Sequence, residues 1–189
     1  MRMKSDIIVI TALPMELDHG KLPDHVRIVY SGVGKINATM ATIQAIQSCQ
    51  PSRIINFGTV GRVSAGLEGL LDIAKVIQRD MIAEPLSPRG RVPFCEKPHE
   101  YFSGRGSHTC GTGDSFVTSK DVWLHDQGID VVDMELFAIA VVAHHHGIPW
   151  MSFKYITDDA NASSGEDWHA RVNQGELLFL EKLREIAGD

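Results

Sequence analysis

The sequence predicts an α/β fold. Short β-branched runs recur along the chain, and stretches with helical apolar spacing lie between them. The size agrees: 189 residues, 43% hydrophobic and 22% charged, suffice for one domain over 1–189 whose core needs no disulfide or metal.

The elements follow in order. Ile7-Ile8-Val9-Ile10 reads as a buried strand. Leu13-Pro14-Met15-Glu16-Leu17 reads as a short helix, with Pro14 in its first turn and Gly20 at its end. Val26–Tyr30 is a second strand, ending in Ser31-Gly32-Val33-Gly34-Lys35. A helix over 36–48 carries Ile36, Met40, Ile43 and Ile46 along its apolar side, and Pro51 stops it. Residues 54–57 form a third strand running into a glycine-rich turn, Gly58-Thr59-Val60-Gly61, and 73–77 a fourth. Residues 84–106, with Pro85, Pro88, Pro93 and Pro98, break the rhythm as a long irregular excursion. Order resumes near His108, with a helix over 120–127. Val131–Asp133 is a short strand feeding a helix over 134–146, which Gly147 ends. Residues 150–157 form the last strand. A polar loop over 158–165 follows, where Ser163 with Glu166, or Ser164 with Asp167, offers a capping box. One final helix runs to about residue 186.

Composition narrows the function. A net charge of -6 argues against nucleic acid or an anionic membrane surface as the partner, because both reward clustered Lys and Arg. The opening Met1–Asp6 leads into an apolar run too short for a signal-peptide core. Cys49, Cys95 and Cys110 are odd in number and lack a CxxC pair, so neither a disulfide framework nor a zinc knuckle is implied. The expected setting is a reducing cytoplasm.

Three carboxylates stand where strands end: Glu16, Glu135 and Asp158. Ligands of open α/β sheets bind beyond the carboxyl ends of the strands, so these groups converge if their strands are parallel neighbours. Each also fits a duller reading, as a carboxylate complementing a helix N-terminus. The turns Gly32-Val33-Gly34 and Gly58-Thr59-Val60-Gly61 read either as cradles for an anion or hydroxyl or as simple turn geometry. GxGxxG fails because Asn37 occupies the third glycine position, which disfavours a dinucleotide fold. His144-His145-His146 do not chelate one ion, since successive helical residues point about 100° apart. Asp158-Asp159 lack companion ligands, Phe116 and Phe153 read as core by default, and Cys110 has no local activating partner.

Five blocks resemble the nucleoside phosphorylase and nucleosidase superfamily, most closely its methylthioadenosine/S-adenosylhomocysteine nucleosidase branch. They are Ile8-Val9-Ile10-Thr11-Ala12-Leu13-Pro14-Met15-Glu16, Ser31-Gly32-Val33-Gly34-Lys35-Ile36-Asn37-Ala38, Ile54-Ile55-Asn56-Phe57-Gly58-Thr59-Val60-Gly61, Thr112-Gly113-Asp114-Ser115-Phe116, and Val132-Asp133-Met134-Glu135 with Lys154-Tyr155-Ile156-Thr157-Asp158. The resemblance implies a three-layer α/β/α fold with a central mixed, mostly parallel sheet, and hydrolysis of a purine nucleoside; neither a metal nor a cofactor is expected. It implies Asp158 as the acid that protonates the purine and Glu16 as the carboxylate that activates water. Glu135 would grip the ribose diol with Met134 beside the sugar. Phe116 would stack on the base, the Val117 backbone would read its edge, and Thr59 would line the water side. It also implies a homodimer.

The chain departs from the family pattern at several positions. Thr157-Asp158 replaces Ser-Asp, Lys154 stands for arginine and Arg62 for glycine, and Leu136 and Phe137 are bulkier than usual. The 84–106 excursion differs from the segment that shapes the 5′ pocket. Two other functions remain in view: a phosphorylase, in which Arg62 would replace the missing phosphate-binding arginine, and a nucleoside-binding protein without catalysis.

Overall fold

A computed structural model describes residues 7–23 and 25–187. The Met1–Asp6 reading lies outside them. The strands are β1 (Ile7–Thr11), β2 (Val26–Tyr30), β3 (Arg53–Arg62), β4 (Leu70–Gln78), β5 (Glu100–Phe102), β6 (His108–Thr112), β7 (Val131–Asp133) and β8 (Trp150–Asp158). The helices are α1 (Lys35–Cys49), α2 (Val122–Asp126), α3 (Leu136–His145), α4 (Ser164–Arg171) and α5 (Glu176–Ala187).

Among the described residues all eight strands join one mixed sheet, and most pairings are parallel: β1 with β2 and β3, β3 with β8, β6 with β4 and β7. The strand path runs β2-β1-β3-β7-β6-β4-β5, and β8 pairs with both β3 and β4. Strands β3, β8, β4, β6 and β7 therefore close into a ring. Helices α1 and α3 bury Ala38, Ala45, Leu136, Ile139 and Ala143 against one face, with Ile8, Ile54, Ile73 and Val131. Helix α5 buries Phe179, Leu180 and Leu183 against the other, with Val9, Ile55, Phe57 and Phe153. The stacked rings of Phe57 and Phe179, 4.3 Å apart, mark the centre of that second layer. This is the three-layer α/β/α arrangement with a mixed, mostly parallel sheet that the resemblance implied.

Several local expectations are corrected. Residues 13–17 form a turn, not a helix, and Gly20 lies inside a short 3-10 helix, His19–Lys21. That helix is capped by Asp18, whose side chain accepts from the Gly20 amide. Gly58 to Gly61 is no turn: β3 runs straight through it to Arg62, because β8 pairs alongside. The excursion contains one short strand, β5. The last helix is two, α4 and α5, and neither capping box forms. The Ser163 hydroxyl donates to Asp167 and Asn161 side chains, and the Ser164 hydroxyl accepts from the Asn161 amide. On α1 the buried side is Ala38, Thr42, Ala45, Ile46 and Cys49, while Ile36 and Met40 face outward. Phe153 lies in the core, as its default reading had it.

Candidate active site

The ends of β1, β3, β7 and β8 surround a cavity of about 290 Å³. Glu16, Thr59, Phe116, Val117, Met134, Glu135 and Asp158 all line it. The assumption behind their convergence needs correction, since not all of their strands are parallel neighbours. β7 runs antiparallel to β3, with Gly61 opposite Val132. The chain leaving β7 turns back along β3, and this brings Met134 and Glu135 to the cavity.

Glu16 is placed by the turn after β1, where its amide donates to the Leu13 carbonyl at 3.1 Å. Glu16 is 3% exposed, and its carboxylate accepts four hydrogen bonds. Oε2 takes Thr11 Oγ1 at 3.1 Å and the Leu13 amide at 3.0 Å. Oε1 takes the Thr59 amide at 3.1 Å and Thr59 Oγ1 at 3.0 Å. A helix-end role is excluded, because no helix begins there.

Glu135 sits at the start of α3 but does not cap it. The first α3 amides are taken by others: Leu136 N donates to Asp133 Oδ2 at 2.9 Å and Phe137 N to Thr112 Oγ1 at 2.9 Å. This frees the Glu135 side chain to reach the loop before α1, where Oε1 accepts the Gly34 amide at 2.8 Å. Gly34 adopts φ 93°, a backbone state that a side chain resists. So one glycine cradle of the sequence holds a carboxylate of the chain itself. Burial first, then the nearby Asp133 charge, pushes the Glu135 carboxyl up to about 7.

Behind Glu135 lies an ion pair with both partners buried, Lys154 Nζ to Asp133 Oδ2 at 2.8 Å. Burial alone would raise the Asp133 carboxyl, but Lys154, Thr112 and the Leu136 amide outweigh it and hold it below the usual range. Burial would likewise lower the Lys154 ammonium, yet Asp133 and its neighbours keep it high. At this position lysine therefore supplies a fixed positive charge. Such a pair is costly to break one partner at a time.

Asp158 ends β8 across a register shift between Val60 and Gly61. Its Oδ2 accepts Thr157 Oγ1 at 3.0 Å and its Oδ1 the Ala160 amide at 3.0 Å. A Cβ on Gly61 would stand 2.7 Å from Oδ1, so only glycine lets the carboxylate lie there. Phe116 is half exposed at the mouth of the cavity. Arg62 lines none of it: the guanidinium binds Asp159 at 2.5 Å and the Leu67 carbonyl at 2.9 Å. His144, His145 and His146 are exposed, and among the described residues no group of three or more His, Cys, Asp or Glu is placed to hold a metal.

A family model described as the phosphorylase superfamily matches residues 15–187. The chain belongs to the phosphorylase superfamily. Among relatives of this superfamily member, the 5′-methylthioadenosine/S-adenosylhomocysteine nucleosidase of Listeria innocua is 27% identical over 193 residues, covering 84% of this chain and 81% of the relative. The enzyme of that name from Shewanella oneidensis is 25% identical over 186 residues, covering 82% and 79%. The Helicobacter pylori nucleosidase of the same name, solved with butyl-thio-DADMe-Immucillin-A, superposes with a TM-score of 0.85 at 18% identity, over 96% of this chain and 97% of that one. A futalosine hydrolase mutant of Helicobacter pylori strain 26695 gives 0.82 at 17% identity, over 96% and 98%. At these identities the two structures establish the fold.

This superfamily member also has cavity residues that the sequence reading missed. Trp168, on α4, donates its indole N–H to Thr59 Oγ1 at 2.9 Å. Arg79, just past β4, lies under the loop that carries Phe116. It donates to the Gly113 carbonyl at 3.1 Å, to Ser115 Oγ at 3.3 Å and to the Ser115 carbonyl. Neither residue carried a local signal, because each meets its partner across a long stretch of chain.

Proposed function

We propose that the protein hydrolyses the N-glycosidic bond of a 5′-modified adenine nucleoside, 5′-methylthioadenosine or S-adenosylhomocysteine, releasing adenine and free sugar. The observation that carries this is the meeting of Glu16, Glu135 and Asp158, from three separate strand ends, on one cavity. The names of the relatives supply the substrate.

Cleaving this bond builds positive charge on the sugar and negative charge on the purine. Asp158 gives the purine a proton, and Glu16 directs water to the opposite face of the sugar. This is the two-carboxylate logic of inverting glycoside hydrolysis, applied to a nitrogen leaving group. Glu135 accepts from the ribose hydroxyls and supports the cationic sugar. Met134 lies against the sugar, Phe116 stacks on the base, and the Val117 backbone reads its edge. Water rather than phosphate is the nucleophile in this reading, because Arg62 is engaged by Asp159 and Leu67 and takes no part in the cavity wall. A homodimer belongs to it too. Ile36, 76% exposed, and Met40, 56% exposed, lie one turn apart on the outer side of α1, an apolar surface that a second copy would cover. The cysteines are free, which suits a reducing cytoplasm.

Product analysis tests the reading. Incubation with 5′-methylthioadenosine is expected to release adenine and free methylthioribose in phosphate-free buffer. A sugar 1-phosphate formed only with phosphate would mean a phosphorylase, and binding without products would mean a carrier. D158N should lose at least about 10²-fold in kcat, the lower end of general acid catalysis, with its melting temperature little changed.

A further inference from the structure

Two loops of the site meet away from the ligand. The Gly34 amide donates to Glu135 Oε1 at 2.8 Å, which puts the 32–35 loop on the ribose side. The next amide along, Lys35 N, donates to Asp114 Oδ1 at 2.8 Å. Asp114 shares its loop with Phe116 and Val117, on the base side. Consecutive amides of one loop therefore hold a carboxylate from each side. A Cβ on Gly34 would stand 3.2 Å from Asp114 Oδ1, so the two loops are pressed together.

Asp80, just past β4, makes a second tie. Its Oδ1 accepts from Lys35 Nζ at 2.6 Å and its Oδ2 from the Asp114 amide at 2.8 Å. Lys35 Nζ also lies 3.7 Å from Asp114 Oδ2. A Cβ on Gly113 would stand 3.0 Å from Asp80 Cγ and 2.9 Å from Arg79 Cζ, so the base loop rests directly on this segment. Burial alone would raise the Asp80 carboxyl, but the Lys35 ammonium and the Asp114 amide outweigh it and hold it below the usual range. Val33 and Phe116 line the cavity, whereas Lys35, Asp80 and Asp114 stand outside its lining. These three reach a ligand only through the loops they hold.

We infer that Asp80, through Lys35 and Asp114, is a positioning residue that fixes the spacing between the base loop and the ribose loop. This rests on the hydrolytic reading above, in which Phe116 and Val117 take the base and Glu135 takes the sugar. A nucleoside presents base and sugar at one fixed separation. Two subsites held at that separation bind the second half almost as an intramolecular event. Loosening the joint leaves each subsite intact and removes part of that advantage. The cost therefore falls on ligands that span both subsites and spares a ligand that fills one.

D80N and K35M cut the same tie from its two ends. In D80N the amide oxygen still accepts from Asp114 N, but its NH2 faces the Lys35 ammonium. K35M keeps the stem and removes the ammonium. Isothermal titration calorimetry compares two probes, adenine and a non-hydrolysable 5′-methylthioadenosine analogue. In each variant the Kd of the analogue and the KM for 5′-methylthioadenosine should rise about tenfold, a modest share of what linking two sites gives. The Kd of adenine should stay within about twofold and kcat within about threefold, because Asp158 and Glu16 are held by other elements. The double variant should match either single one, since the tie is lost once.

An unchanged analogue Kd in both variants would overturn the joint and reduce the cluster to an ion pair on the protein's flank. Adenine weakening by the same factor as the analogue would overturn it too, because the base loop alone would then be damaged. A double variant as weak as the product of the single losses would show two separate effects and no shared tie. If D80N does not fold, K35M against wild type carries the comparison of the two probes. Wild-type hydrolysis is measured first. Wild type that binds both probes but releases no adenine would overturn the hydrolytic reading and leave the joint to the Kd values; wild type that binds neither would overturn both.

Discussion

Glu16 and Glu135 are both buried carboxylates on the wall of the same cavity, yet the chain surrounds them differently. Glu16 receives four hydrogen bonds from Thr11, Leu13 and Thr59. Glu135 receives the Gly34 amide at Oε1 and feels the Asp133 charge nearby, and its carboxyl rises to about 7. The donors Glu16 needs are built into the fold. Those Glu135 needs are left for a ligand, and two neighbouring sugar hydroxyls fit that requirement. A carboxylate that is satisfied before anything binds is held in one place by the fold. One left short of donors is suited to recognise the substrate.

The largest expected effect breaks the satisfied side. E16Q should lower kcat at least about 10²-fold. It should also lower the melting temperature, because whichever way the amide turns, its NH2 meets the Leu13 or the Thr59 backbone N–H. An unsatisfied buried amide costs about 1–3 kcal/mol, and each kcal/mol is worth about 2–4 °C in a chain of this size. Differential scanning calorimetry beside kcat decides it. A stable E16Q with full kcat would remove Glu16 from the chemistry.

E135Q sharpens the contrast with the opposite sign on stability. Its kcat/KM should fall about 10- to 100-fold, the worth of hydrogen bonds to a charged acceptor. The preference for ribose over 2′-deoxyribose nucleosides should shrink. Between about 4.5, its ordinary value, and about 7, the folded protein keeps a proton on Glu135 that the unfolded chain has released. That contribution is present at low pH and is lost as pH rises through 7. E135Q has no such loss, so its melting temperature should exceed wild type at pH 8, with the gap closing toward pH 5. Equal melting temperatures at pH 8 would show that burial imposes no penalty on the ionised group.

Wild-type kcat/KM should follow the same group. Only ionised Glu135 accepts from both sugar hydroxyls, so kcat/KM should fall about tenfold between pH 8 and pH 6. In E135Q that limb of the profile should flatten. The smallest effect concerns Trp168. W168F removes one neutral hydrogen bond to Thr59, worth about 1 kcal/mol, so kcat should drop about fivefold with Kd for the analogue unchanged. A loss confined to Kd would place Trp168 with substrate binding instead.

Much of this was legible in the chain. Strands such as Ile7–Thr11, with its β-branched run, and Trp150–Asp158, with its aromatic residues, announce themselves locally, and the three carboxylates follow strand ends. What escaped was decided by distant partners. Gly58-Thr59-Val60-Gly61 has the composition of a turn, but β8 on one side and β7 on the other make it strand. Ile36 and Met40 share the helical spacing of a core face, but the neighbours of α1 take the Ala38–Thr42 side instead. Trp168 meets Thr59 from 109 positions away, and no local pattern encodes such a meeting. The direction of β7 was likewise invisible, since a three-residue strand reads the same either way.

The ring of strands has a consequence for how the chain is made. β3 emerges early in synthesis and β8 late, yet β8 joins β3 to β4. Until β8 has left the ribosome, those two strands keep unpaired edges and the ring stays open. Such long-range pairing is slow, and unpaired edges are exposed to aggregation while they wait. Asp158 is the last residue of that same strand. A nascent chain without β8 therefore lacks the proposed acid as well as the strand that closes the ring, so partial products would carry no premature activity.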